Sequence, residues 1–155
     1  MAKKHLKAVE PDDKSKTDPE RVAVLAVMDR FFVGLRNKDY GIWQDLLMKE
    51  GAHYAFRKTA DGDWIPNHRK FDDWMVILDV EEQALDQSYW NPTVHIRGPI
   101  AVVWTPYEIF RDYKPSHCGV DSFTLLKIGE DWKIFSIVFT AEPDAHDELR
   151  QTPGD

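Results

Sequence analysis

His117 and Asp121 lie four residues apart in a stretch whose alternation predicts a β-strand, so both side chains fall on one face of it. A carboxylate that orients an imidazole makes a base able to take a proton near neutral pH. Gly119, between the two, leaves space above the sheet for a reactant. The same pair also fits a hydrogen-bonded brace, or two groups at a contact between subunits. Tyr107 and Tyr54 offer hydroxyls that can polarise a carbonyl or hold a developing oxyanion. Trp74 and Trp104 offer rigid apolar walls, with Phe56 and Phe71 as further wall candidates, although core packing accounts for any one of these aromatics. His95 shares a strand face with Thr93 and Arg97 and joins His117 if their strands pair in a suitable register.

Other chemistries find less footing. His117 and Cys118 are adjacent and point to opposite faces of a strand, and no short Cys or His ligand spacing exists, so no metal site is expected. Cys118 reads as a small buried thiol. His53 and His68 flank a small hairpin and are left outside the site. With no phosphate-cradling Gly-rich loop and no dinucleotide fingerprint, no cofactor is expected.

The elements that must position these residues follow from pattern. Asp18-Pro19-Glu20 is a helix start, and Val24, Leu25, Met28, Phe31, Phe32 and Leu35 form an apolar stripe as far as about Asn37. Asp39 caps a short helix carrying Trp43, Leu46 and Leu47, which Gly51 ends. Asp61-Gly62 turns a hairpin between 53–58 and 63–68, and 71–80 is a further helix. Four strands follow, near 88–97, 100–112, 117–128 and 132–141, with links short enough for an antiparallel meander. Helices followed by successive strands is the α+β order.

A chain of 155 residues fits one domain, expected over 18–142, between a flexible N-terminal tail (1–17) and an acidic C-terminal tail (143–155) in which Leu149 docks weakly. The formal charge of −7 argues against nucleic acid, which requires a basic stripe. The single cysteine and the polar Met-Ala-Lys-Lys-His opening favour a cytoplasmic location, and no apolar run is long enough to span a membrane. In the last strand Trp132, Ile134 and Val138 alternate against Lys133, Phe135 and Phe139, so both faces are partly apolar, as expected of a homodimer.

This order, with the runs Trp104-Thr105-Pro106-Tyr107-Glu108, Ser116-His117-Cys118-Gly119-Val120-Asp121-Ser122-Phe123 and Asp131-Trp132-Lys133-Ile134, resembles the NTF2-like superfamily over roughly residues 20–142, and most closely its SnoaL-like, lumazine-binding branch. The resemblance implies a cystatin-like cone, a curved antiparallel sheet packed against three helices, often dimeric through its outer face. Members include isomerases, dehydratases, cyclases, epoxide hydrolases and non-catalytic binding proteins, so the fold does not choose the function. No catalytic residue of those enzymes carries over by motif. Two expectations result. One is a cofactor-independent enzyme that moves protons on a small apolar carbonyl or polycyclic compound, with His117 as base and Asp121 orienting it. The alternative is a non-catalytic ligand-binding or dimeric interaction module in which the two brace the sheet.

Overall fold

The computed structural model describes residues 16–155, so the expected tail over 1–17 lies almost wholly outside the described residues. The first helix, α1 (Pro19–Asn37), begins where the sequence signals it: Asp18 Oδ1 accepts from the Glu20 amide at 2.9 Å and Pro19 fills the first turn. Its buried stripe includes Val24, Met28, Phe31, Phe32 and Leu35. A short α2 (Tyr40–Leu46) carries Trp43, whose ring stacks on Phe31 at 4.4 Å.

The strand that follows, β1 (Leu47–Lys58), begins at once, so Gly51 does not end a helix as expected. It sits at an irregularity in β1 where a side chain would meet the Phe135 carbonyl at 2.3 Å. β1 turns through Gly62 (φ 87°) into β2 (Trp64–Lys70), and α3 (Phe71–Asp79) follows. The expected strand at 88–97 is two strands, β3 (Leu85–Tyr89) and β4 (Thr93–Arg97), broken at Asn91 by its left-handed backbone, φ 46°. β5 (Ile100–Arg111), β6 (Lys114–Ile128) and β7 (Asp131–Ala141) complete one seven-stranded sheet.

The sheet order is β2-β1-β7-β6-β5-β3, with β4 also on β5. All pairings are antiparallel except β1 with β7, so the sheet is mixed, and a meander alone does not describe it. Register shifts at Ile109/Phe110 and Thr124/Leu125 bend the long strands into a concave surface. The helical layer closes over that surface. α1 is fixed to it by Glu20, which accepts from Lys127 Nζ at 2.6 Å and Trp132 Nε1 at 2.8 Å, and by Tyr89 Oη, which donates to Asp29 at 2.6 Å. Burial of Phe31, Trp43, Phe123 and Leu125 between the layers contributes about 1.5–3 kcal/mol for each side chain.

The segment after Glu142 departs from the expected tail. It forms a fourth helix, α4 (His146–Arg150), whose Leu149 is buried with Cys118 and Ala145. Trp90 Nε1 donates to the Leu149 carbonyl at 3.1 Å. Further on, the Asp155 carboxylate pairs with Arg21 at 2.7 Å and accepts from the Val94 amide. Apolar packing with Trp90, Cys118 and Val120, not acidity alone, decides the fate of this segment. Among the described residues no helix is long and apolar enough to cross a membrane.

Candidate functional site

Between the concave sheet face and the helices lies a hollow of about 590 Å³, within the range that takes a drug-sized molecule. The interior is therefore open, not solidly packed. Strand alternation decides what lines it: His53, Ala55 and Arg57 from β1, Ile137 and Phe139 from β7, His117, Asp121 and Phe123 from β6, and Tyr107, Ile109 and Arg111 from β5. Trp74 of α3, Gln87 of β3, Arg69 of β2 and Glu81 also stand in the wall, with Phe31 and Leu35 of α1.

His117 and Asp121 do share this face, as their spacing implies. The orienting hydrogen bond expected between them is not made. Asp121, 2% exposed, accepts from Gln87 Nε2 at 2.8 Å, and the His117 Nδ1 lies 3.2 Å from the neighbouring Ser116 hydroxyl. Burial raises the Asp121 carboxyl well above the ordinary aspartate value, with Gln87 opposing weakly. Burial, with Arg111 and His146 nearby, lowers His117 to about 4. At neutral pH the imidazole is therefore neutral, while the carboxyl, once ionised, is a stronger base than an ordinary aspartate.

Gly119 does not leave empty space, because a side chain there would meet the Thr140 carbonyl at 2.1 Å. That carbonyl also accepts from the Tyr107 hydroxyl at 2.5 Å. Tyr107 therefore lines the hollow with its ring, but its proton is committed to the backbone and not to a ligand oxygen. Its ionisation is pushed up mainly by burial.

Of the remaining expected residues, Trp74 lies in the wall. Tyr54 and Trp104 do not: they project from the convex face, 38% and 53% exposed, with Tyr54 stacked on His68 and tilted against Phe56. Phe71 is core. His95 is exposed and cannot join His117: it pairs with Val102 and His117 with Ile109, seven positions along β5, roughly 23 Å. Cys118 is fully buried on the other face, its thiol donating to the Glu142 carbonyl at 3.3 Å and pushed up by burial.

The residue that sequence reasoning set aside is His53. It is 3% exposed, lies 4.4 Å from the Trp74 ring and 5.6 Å from Phe139, and neither of its nitrogens has a hydrogen-bond partner among the described residues. Burial, then Arg69, lowers it to about 4. Gln87 and the arginines Arg57, Arg69 and Arg111 were also missed. The available signal was parity, since His53 and Arg57 alternate with Tyr54 and Phe56 and must face the opposite way.

No protein-family model matches the sequence. No curated protein matches it. Solved structures do. A cystatin-like protein of unknown function from Nostoc punctiforme superposes with a TM-score of 0.65 at 12% identity, over 82% of this chain and 94% of that one. An NTF2-like protein from Cytophaga hutchinsonii gives 0.66 at 15%, over 79% and 98%. A protein provisionally assigned as the β subunit of an aromatic-ring-hydroxylating dioxygenase, from Novosphingobium aromaticivorans, gives 0.67 at 11%, over 82% and 92%. Together with the bent seven-stranded sheet and the hollow it encloses, these likenesses show that the chain has the NTF2-like, cystatin-like α+β fold.

Proposed function

We propose that the protein binds a small, largely apolar molecule in the hollow and catalyses proton transfer on it without a cofactor. The observation that carries this reading is Asp121, a carboxyl buried at the wall of a ligand-sized cavity with one amide donor and, among the described residues, no cationic partner. Such a group is costly to bury, and the same burial makes its ionised form a stronger base than an ordinary aspartate. The roles assigned from sequence are therefore exchanged. Asp121 takes a proton from a carbon next to a carbonyl and returns it elsewhere on the same molecule. The neutral His117 holds the substrate oxygen as negative charge develops there. Trp74 and Phe139 exclude water. Membership of the SnoaL-like, lumazine-binding branch, a domain core over 18–142 and a cytoplasmic setting belong to the same proposal.

The test is hydrogen–deuterium exchange at the activated carbon of 2-tetralone in D2O, followed by NMR. Native protein accelerates the exchange and Asp121→Asn loses at least a hundredfold of it. The variant should also melt no lower than native at pH 8. A folded-state pKa above the ordinary 3.8 gives a contribution to stability that is present below that value and lost as pH rises through the raised one, and Asn removes this loss. Exchange unaffected by the substitution would return the protein to the non-catalytic binding class.

A homodimer is proposed on the convex face, where Tyr54, Phe56, Trp104, Phe135 and Val138 are each more than a third exposed. Trp104→Glu should convert a dimer into a monomer in sedimentation; a native monomer would remove this proposal.

A further inference from the structure

Resting on that reading of the hollow, we infer that its ligand is an anion with a flat, aromatic-sized body, whose carboxylate meets the guanidiniums of Arg57 and Arg69 while its ring lies against Trp74 and Phe139 beside His53. Two independent observations meet here.

The first is the imidazole of His53. A buried polar group without a partner is costly, and this one has two nitrogens unpaired among the described residues. The aromatic rings on either side restrict its turning to find a protein partner. As a neutral ring it presents one donor and one acceptor to whatever fills the hollow.

The second is charge. The chain carries −7 overall, a field that repels anions, yet Arg57, Arg69 and Arg111 all line the one cavity. Arg111 has a protein carboxylate, Glu81, at 3.6 Å, whereas neither Arg57 nor Arg69 has one among the described residues. The only other carboxyl in the wall is Asp121, which accepts from Gln87 and pairs with neither Arg57 nor Arg69 among the described residues. Guanidinium forks match the two oxygens of a carboxylate, and a cleft with apolar walls focuses their field. Arg69 is also the cross-strand partner of His53, so one end of the bound molecule meets both.

The probes are 1-naphthoate and its uncharged counterpart 1-naphthalenemethanol, titrated calorimetrically into the full chain at pH 7 and low salt. Naphthoate should bind at least tenfold more tightly, and 0.5 M NaCl should weaken naphthoate alone. In Arg57→Gln/Arg69→Gln the preference should fall to threefold or less while the alcohol binds as before. If the double variant does not fold, the single Arg69→Gln should lose at least threefold of the preference. Equal affinity of the two probes for native protein, or a preference untouched by the substitutions, overturns the anion assignment and leaves the proton-transfer reading standing. Failure of both probes to bind overturns the ligand cavity itself, and both readings with it.

Discussion

On the wall built by β5 and β6, Tyr107 donates to Thr140, Asp121 accepts from Gln87 and His117 has Ser116 beside it. On the wall built by β1 and β2, His53 is buried at least as deeply as His117 and has nothing. Both imidazoles are neutral at pH 7, and each has an arginine near it. The difference is therefore not one of charge but of what the fold has already satisfied. The first wall is braced from within, and the second keeps unspent hydrogen-bonding capacity for a guest.

That contrast is breakable. At neutral pH the largest effect should come from the braced wall, where Tyr107→Phe strips the Thr140 carbonyl of its donor in a water-poor setting and lowers stability by about 2 kcal/mol, read by chemical denaturation. A loss below about 0.5 kcal/mol would mean that this wall is not held by its hydrogen bonds. The open wall should respond in the opposite sense. His53→Phe keeps the aromatic stack but removes two unpaired polar atoms, so at pH 7.5 stability should hold or rise by up to about 1 kcal/mol.

The same variant sharpens the comparison under acid. A histidine lowered in the folded state from 6.5 to about 4 gives stability that is complete above pH 6.5 and is lost as pH falls through 4. His53 and His117 each put roughly 3 kcal/mol at stake across that window. His53→Phe should about halve the acid loss, measured as melting temperature against pH. An unchanged acid limb would show that His53 finds a partner in solution.

The α+β class was legible because Asp18-Pro19-Glu20, the α1 stripe and the turn at Gly62 are local signals that tertiary packing did not overrule. The shared face of His117 and Asp121 was legible for the same reason. The inner side of β1 was not. There the strand turns Tyr54 and Phe56 outward and His53 and Ala55 inward, with the exposed Arg57 at the rim of the hollow, the reverse of ordinary amphipathic patterning. A cavity wall has to carry polar groups, so hydrophobicity alone points to the wrong face, and it misplaced Tyr54 and Trp104 together. The hydrogen-bond partners Gln87 and Thr140 come from other strands, and no spacing within one segment encodes them. The packing of α4 depends likewise on Trp90 and Cys118, far away in the chain.

The irregularity at Phe135 reaches further than its size suggests. One additional residue in β7 lets Trp132 and Ile134 point to the interior before it, and Ile137 and Phe139 after it. Gly51, lacking a side chain, receives the carbonyl that the bulge pushes sideways. The solid half of the core and the hollow half are thus kept in phase by a single inserted step and the notch that accommodates it. Ironing that step out with every residue kept would turn Val138 and Thr140 toward the chamber in place of Ile137 and Phe139, putting the molecule partly inside out along one strand with its composition untouched.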